Sequence, residues 1–191
     1  TLFTDSSGNS WLSARDVTWY SNVTTCKVPI IQHEKYTASA LNNMVIPTGD
    51  RVIIHLGTLP NGKYYEQGSM SLQIGGETWV LVDTFAKSKP TDKHFMVSVD
   101  EALNPYIMFG DGTFGKKPAA GAKITNVVFY LTNGTQGNVK SNTITSVPSV
   151  ISSSITNATV SNAYDAGGGS NYENFTMLKE HIPLSVKTLG V

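Results

Sequence analysis

The chain has 191 residues, of which 40% are hydrophobic and only 15% are charged. Its 14 Lys and Arg residues balance its 14 Asp and Glu residues, so the formal net charge is zero. Nucleic-acid binding requires a basic face that displaces counterions from phosphates, and these totals offer no such excess. One cysteine excludes an internal disulfide, and the sequence lacks the run of about 18 apolar residues that predicts a membrane span.

The first part of the chain contains two strand candidates, Thr24–Tyr36 and Arg51–Leu56. Cys26 lies near the start of the first candidate, where we expect a small buried apolar side chain rather than a reactive thiol. Residues 1–65 carry no recognisable motif, so their role stays open.

A hairpin is the clearest local signal. Residues 69–74 alternate between polar and apolar side chains, which is the period of a half-buried strand. Gly75-Gly76 follows and suits a two-residue turn, because glycine adopts positive φ without steric cost. The chain then returns over Glu77–Asp83.

Further strands are predicted at Phe95–Val99, Tyr106–Phe109, Ile124–Leu131 and Thr143–Val147. Turn residues separate them at a density that is typical of an antiparallel sandwich or barrel. No convincing helical periodicity occurs before residue 150. The fold class is therefore predicted to be mainly β, with residues 1–147 forming a β-rich domain.

The character of the chain changes near Pro148. Ser149–Ala163 is almost uncharged, and we interpret it as a connector or as a strand that pairs with the edge of another chain. Beyond it, Ser170 and Glu173 form a capping-box pattern, and a helix is predicted over about residues 171–181. The residues of this cap and candidate assembly helix are Gly168, Gly169, Ser170, Glu173, Phe175, Leu178, Ile182 and Pro183. We expect residues 148–191 to open a second, truncated α/β region.

The segment from Phe109 to Gly121 is predicted to be a rigid corner between strands. Its structural turn residues are Gly110, Asp111, Gly112, Gly115, Pro118 and Gly121. The glycines and lysines come close to a phosphate-binding loop, but that loop needs Ser or Thr after the lysine, where this chain has Lys117. Asp111 is expected to form the turn through its own backbone, and a valine at Gly110 or Gly112 should destabilise the fold if either glycine needs positive φ.

Catalytic and metal-binding patterns are weak. The four histidines are far apart in sequence, without the close ligand pairs that are typical of zinc sites. The acidic side chains Asp83, Asp92, Asp100 and Glu101 offer no evident catalytic pair. We therefore predict no enzyme activity, no metal and no cofactor. A hydrolase on a β scaffold is a distant alternative.

Aromatic residues suggest a different class of function. On one interpretation, these residues stack on a sugar, as in a carbohydrate-binding or adhesion domain of a tail or receptor-binding protein; they are Tyr64, Tyr65, Trp79, Trp11 and Trp19. Alternatively, they are core and rim aromatics, which dominate burial in any β protein. The sequence leaves both interpretations open.

Two motifs resemble the baseplate J-like family, the wedge proteins of contractile phage tails. The first runs from Gly76-Glu77-Thr78-Trp79 through the Phe109–Gly115 corner and Pro118–Ala122 to Val127–Tyr130 and Gly137-Asn138-Val139. The second runs from Gly168–Glu173 through Leu178-Lys179 and Ile182-Pro183 to Thr188-Leu189-Gly190. Asn171 and Lys179 depart from the Asp and Arg that the family often has. Because the family's next segment is missing, we expect the chain to be a fragment.

The resemblance implies a structural role without catalysis. Proteins of this family join neighbouring wedges into a ring around the central hub. By this resemblance, the chain would associate with itself, as a dimer or ring, and with other wedge subunits. From the composition and the lack of site motifs, we also expect the chain to have no nucleic-acid partner, no membrane partner and no small-molecule ligand. Its place would be the virion, in the tail baseplate, after assembly in the host cytoplasm.

Overall fold

The computed structural model describes residues 2–13, 25–153 and 157–171. Within these ranges the chain is mostly β, which confirms the predicted fold class. The strands are β1 (Leu2–Thr4), β2 (Ser10–Ser13), β3 (Ile30–Gln32), β4 (Glu34–Thr37), β5 (Ile53–His55), β6 (Tyr64–Tyr65), β7 (Ser71–Ile74), β8 (Glu77–Leu81), β9 (His94–Val99), β10 (Pro105–Phe109) and β11 (Ile124–Thr132). The helical elements are α1 (Ser149–Ser152) and two 3₁₀ turns, Ser39–Leu41 and Gly134–Gly137. None of the described helices is long and apolar enough to cross a membrane.

The chain divides into two compact units. The first unit combines the described parts of Thr1–Glu34 with Leu131–Asn171, and Lys35–Tyr130 belongs to the second. This division does not fall at residue 147, where the sequence suggested a boundary. Residues on both sides of Pro148 share the first unit, because Val139 and Ala166 exchange two backbone hydrogen bonds of 2.9 and 2.8 Å.

The first unit contains an antiparallel sheet in the order β1-β2-β3. Phe3 lies opposite Trp11 in the β1–β2 register, and both side chains are buried. They form the core of this unit with Ile144 and Ile151, against which Ile30, Val139, Val147, Ala158, Val160 and Ala166 pack. Cys26 precedes β3 and is exposed, so the expectation that it is buried is wrong.

Two expectations for the first unit need correction. Thr143–Val147 is not a strand, because the side-chain oxygen of Asn162 accepts the backbone N–H groups of Thr143 and Ile144, each at 3.0 Å. The Ser149–Ala163 segment does not begin as a strand: it opens with α1, whose Ile151 is buried in the unit's core.

The second unit contains the larger sheet, with the strand order β4-β11-β7-β8-β9-β10-β5, and β6 also pairs with β11. The predicted β7–β8 hairpin is confirmed: Gly75 and Gly76 have φ of 59° and 80°, as a two-residue turn requires. The sheet is not purely antiparallel, because β8 and β9 pair in parallel through Val80–His94 and Leu81–Phe95. Residues 82–93 supply the long connection that a parallel pair needs.

Strand β11 contains a β-bulge that bends it against β7. Thr125 lies opposite Gln73, and the next registered pair is Val128 with Ser71, so β11 carries one extra residue. Asn126 occupies the bulge with a φ of 54°, and its side-chain amide donates to Gln73 Oε1 at 2.7 Å. Bulges of this kind increase the local twist of a sheet.

Aromatic side chains fill the core of the second unit. Trp79 meets Phe109 edge to face with ring centroids 5.4 Å apart, and Phe109 lies 6.4 Å from Phe95. Tyr65 packs against Phe129 at 5.7 Å. The end of β10 at Phe109 is therefore anchored in the core, where the glycine corner begins.

Candidate functional site

The glycine corner begins directly after β10 and is built around Asp111. One carboxylate oxygen of Asp111 accepts the backbone N–H groups of Thr113 and Phe114, both at 2.8 Å. These hydrogen bonds, from Phe114 first and then Thr113, hold the pKa of Asp111 below its ordinary value. The N–H of Gly112 donates to the Gly115 carbonyl at 3.0 Å and closes the turn. Asp111 therefore organises its own loop, as the sequence predicts.

The glycines of the corner serve two different purposes. Gly112, Gly115 and Gly121 have φ of 95°, 81° and 84°, a region that L side chains rarely adopt. Gly110 has no such φ, but a Cβ placed on it would lie 2.6 Å from the Gly115 Cα. The sequence could not show which glycine carries positive φ; here Gly112 does, and Gly110 permits close backbone approach.

Backbone hydrogen bonds fix the exit of the corner. Lys116 N–H donates to the Asp92 carbonyl at 2.7 Å, and Gly121 N–H donates to the Ile46 carbonyl at 3.0 Å. Pro118 is buried between these two points. The chain then enters β11 rather than a helix, so the arrangement that would aim backbone N–H groups at a phosphate is not formed.

An apolar face adjoins the corner. Met108 on β10 lies opposite Ile53 on β5 and opposite Met96 on β9, so the three side chains form a row across the sheet. Ile53 is 46% exposed, and Phe114 in the corner is 54% exposed. We call Ile53, Met96, Met108 and Phe114 the apolar face. They line an open cleft of about 230 Å³ together with Phe85 and the charged residues Arg51 and Asp111.

Charged side chains surround the corner largely as pairs. Lys93 Nζ lies 2.6 Å from Glu77 Oε1, and Lys116 lies 3.9 Å from the other oxygen of Glu77. The Lys93 hydrogen bond lowers the pKa of Glu77 below its ordinary value. Lys117 lies 3.9 Å from Asp50. Exposed pairs of this kind add little stability, but each charge in them is partly offset by its partner.

The aromatic platform expected from the sequence is not formed by the residues described. Trp79 and Trp11 are each 4% exposed and Tyr65 is 3% exposed, so none of them offers a ring face to a sugar. Tyr64 is half-buried, and Trp19 lies outside the described residues. The physical reason is the strand register, which directs Trp79 toward Phe109 on the buried face of the sheet.

Two of the candidate acidic residues, Asp92 and Asp100, shape their own turns. Asp92 accepts the Lys89 N–H at 2.8 Å, and Asp100 accepts the N–H groups of Ala102 and Asn104 at 2.9 Å. The Asn104 hydrogen bond is the main cause that lowers the pKa of Asp100. Within residues 2–13, 25–153 and 157–171, no group of three or more His, Cys, Asp and Glu residues is placed to hold a metal ion.

Sequence reasoning missed a serine–histidine contact. The Ser88 hydroxyl lies 2.8 Å from His94 Nδ1, between the β8–β9 connection and the first residue of β9. Ser88 is buried, so its hydroxyl anchors the ring rather than facing solvent. The two residues are six positions apart in an irregular segment, and no spacing rule marks such a pair.

Sequence reasoning also missed a polar cluster in the first unit. The buried carboxylate of Asp5 accepts hydrogen bonds from the Ser7 and Asn9 backbones, the Asn9 side chain and Trp11 Nε1, at 2.9 to 3.0 Å. Burial raises the pKa of Asp5, but the hydrogen bonds from Trp11, Asn9 and Ser7 together outweigh it, so the pKa lies below its ordinary value.

Of the residues predicted to cap and form a C-terminal helix, only those up to position 171 lie among the described residues. Gly168 has a φ of 98°. The Asn138 side chain makes two hydrogen bonds with the backbone of Gly169. Its oxygen accepts one from the Gly169 N–H at 2.8 Å, and its amide nitrogen donates one to the Gly169 carbonyl at 3.0 Å. Ser170 is exposed. Glu173, Phe175, Leu178, Ile182 and Pro183 lie outside the described residues, so the predicted helix stays a prediction.

Comparisons with protein-family models, with curated proteins and with solved structures find no match to this chain.

Proposed function

We propose that this chain is a non-catalytic structural subunit of a contractile-tail baseplate wedge that joins neighbouring subunits into a ring. The observation that carries the proposal is the juxtaposition of the glycine corner with the apolar face. The motif with the family resemblance, Phe109–Gly115, forms one wall of the cleft and presents Phe114 to solvent.

The composition of the apolar face supports an assembly role. Contiguous exposed apolar side chains rimmed by polar residues mark interaction surfaces in soluble proteins. Met96 and Met108 contribute flexible, polarizable side chains, which adapt to different partner surfaces. The paired charges around the corner favour contact with neutral partners over contact with strongly charged ones.

The rigidity of the corner supports the same role. The backbone N–H of Phe114 donates a hydrogen bond to Asp111, and the turn is closed between Gly112 and Gly115. A loop whose backbone is held in place before binding loses less conformational entropy when a partner covers it. We therefore infer that the corner presents Phe114 as a preformed contact.

The experiment that tests this role is deletion of the coding sequence from the genome that carries it. Negative-stain microscopy should show tails that lack assembled baseplates, and supplying the chain in trans should restore them. A Phe114→Ser variant should restore them less well than the wild-type chain, whereas Tyr164→Ser, an exposed aromatic in the first unit, should restore them fully. Complete baseplates after deletion would refute the proposal.

A further inference from the structure

We propose that the outer edge of β5 pairs with the same edge of a second copy of this chain, in an antiparallel two-fold contact. The inference rests on the assembly role proposed above, and it specifies one partner and one backbone contact for it.

Strand β5 is the last strand of its sheet, and β10 is the only described strand that pairs with it. The Val52 carbonyl accepts the Phe109 N–H at 3.2 Å, and the Leu56 N–H donates to the Pro105 carbonyl at 3.1 Å. Backbone groups alternate in direction along an antiparallel strand. The backbone N–H and C=O groups of Ile53, and those of His55, therefore point away from β10.

The edge lacks most of the features that protect sheet edges. Natural proteins block such edges with proline, inward-pointing charges, bulges or very short strands. Residues 53–55 contain no proline and no Lys, Arg, Asp or Glu, and their register with β10 is continuous. Only the short length of β5 limits pairing, and the 46% exposed Ile53 favours it.

One register pairs all three residues of β5 with all three of the second copy. Ile53 then lies opposite the partner's His55, and Ile54 lies opposite the partner's Ile54. A shift by two residues in either direction leaves part of the strand unpaired. In the complete register the Ile53 and His55 peptide groups of both copies meet as hydrogen-bonded pairs, and Ile54 extends the buried face of each sheet.

The charges around β5 permit this register. Arg51 falls opposite the partner's Gly57, and Asp50 falls opposite the partner's Thr58. Like charges directly opposite each other would destabilise a strand pair, and here none meet. The zero net charge of the chain also removes long-range repulsion between copies.

A three-residue contact is small, so the isolated pair is expected to be weak. Interfaces that bury less than about 1,000 Å² are typical of transient complexes. In a ring, other contacts hold the same subunits together and raise the effective concentration of each edge for the other. The free pair is therefore best detected with a covalent trap, or otherwise in a concentrated solution of the chain.

The trap uses two single-cysteine variants in a Cys26→Ser background, because Cys26 is exposed and would react. Ile53→Cys and His55→Cys chains are mixed, oxidised and analysed by non-reducing electrophoresis. Residues paired across a strand have Cα atoms about 5.5 Å apart, within reach of a disulfide. In either variant alone, the two cysteines lie roughly 8 Å or more apart, beyond that reach.

The expected result is at least a fivefold excess of crosslinked dimer in the Ile53→Cys and His55→Cys mixture over either variant alone. Ile31→Cys mixed with His55→Cys is the control, because Ile31 is 49% exposed on the outer strand of the other sheet. Circular dichroism verifies that each variant is folded. Should a cysteine variant misfold, light scattering of the concentrated wild-type chain replaces the trap. The Ile53→Lys substitution should abolish the dimer that light scattering detects, and the control substitution Ile31→Lys should not.

Absence of crosslinking in the mixture, or equal crosslinking in the single variants or the control, overturns the β5 contact. That result differs from failure of the proposed function. Baseplates that assemble without the chain would refute the assembly role itself. Baseplates that require the chain, together with a negative trap, would refute only the β5 pairing.

Discussion

The backbone of Gly115 occupies the space that a side chain on Gly110 would need. A Cβ on Gly110 would lie 2.6 Å from the Gly115 Cα, a distance that neither backbone can relieve without opening the turn. At Gly112 the surroundings are open, with the nearest atom, Lys117 Cβ, at 3.9 Å, but φ is 95°. The two glycines are therefore required for different physical reasons.

This difference predicts that substitution by asparagine affects stability differently at Gly112 and at Gly110, because asparagine tolerates positive φ better than other non-glycine residues. Gly112→Ala should lower the free energy of unfolding by about 1–2 kcal/mol, and Gly112→Asn should recover part of that loss. Gly110→Ala should cost about 3 kcal/mol or more, and Gly110→Asn should recover none of it. Urea denaturation followed by circular dichroism measures all four variants.

Gly121→Ala provides the matched control, because Gly121 has a φ of 84° with no other atom near its Cβ position. Its loss of stability should equal that of Gly112→Ala. A Gly110→Ala protein as stable as the wild type would contradict the close packing of the corner.

The Asp5 cluster predicts a loss of stability in acid. Because the folded-state pKa of Asp5 is lowered, its ionised form stabilises the fold at pH values above its ordinary pKa of about 3.9. That stabilisation disappears as the pH falls through the lowered folded-state pKa. Asp5→Asn should cost about 1–3 kcal/mol near neutral pH, since an amide cannot accept all the hydrogen bonds that the carboxylate accepts.

The measurement is the denaturation midpoint of wild type and Asp5→Asn between pH 2 and pH 7. The difference in denaturation midpoint between wild type and Asp5→Asn should become smaller as the pH falls below about 4. Asp165→Asn is a control on an exposed carboxylate whose pKa is also lowered, through Lys140. A difference in midpoint that stays constant with pH would show that the charge of Asp5 contributes nothing to the stability of the fold.

Two hairpin loops share one geometry, and we expect opposite effects on the free energy of unfolding when the residues at their equivalent positions are exchanged. In the loops Asp5–Asn9 and Asp100–Asn104, the Asp carboxylate accepts the N–H groups two and four residues later. The fourth loop position has positive φ in both: Gly8 at 83° and Leu103 at 64°. Leucine pays a steric penalty there that glycine avoids.

Leu103→Gly should therefore raise the free energy of unfolding, or leave it unchanged if lost packing offsets the relief of about 1 kcal/mol. Gly8→Leu should lower it by about 1–2 kcal/mol. Thermal melts of both variants make the comparison. Destabilisation by Leu103→Gly of more than about 1 kcal/mol would assign Leu103 a packing role that outweighs its strain.

Trp79→Ala separates the core role of this residue from the sugar-binding alternative. Trp79 is 4% exposed and packs edge to face on Phe109. Its removal should cost about 3–5 kcal/mol of folding free energy. Tyr64→Ala, a half-buried neighbour of the core, should cost less. A Trp79→Ala chain that keeps its stability but loses glycan binding would reverse this interpretation.

Local patterns predicted the elements that side-chain alternation or turn residues mark in their own sequence. The β7–β8 hairpin followed from alternation and from Gly75-Gly76, and β9, β10 and β11 followed from apolar periodicity. The parallel pairing of β8 with β9 could not be predicted, because it depends on how residues 82–93 return the chain. Thr143–Val147 looked like a strand, yet Asn162, far along the sequence, takes its N–H groups.

The candidate site was predicted only in part. The turn chemistry of Asp111 and the need for glycine in the corner were evident from residue types. The row of Ile53, Met108 and Met96 was not, because three separate strands contribute one residue each. Burial of Trp79 likewise depends on which sheet face its strand presents, and sequence alternation alone does not name the buried face.

The chain order of the two units constrains how the protein is made. Lys35–Tyr130 is one continuous stretch, whereas the three-stranded sheet lies before it and part of the core of that sheet, Ile144 and Ile151, lies after it. During synthesis, Phe3 and Trp11 leave the ribosome long before Ile144 and Ile151, the partners that bury them. The aromatic side chains of the N-terminal hairpin therefore stay exposed to solvent until those partners have been synthesised. Exposed apolar surface of this kind makes a nascent chain prone to aggregation, so chaperone binding would protect it most during this interval.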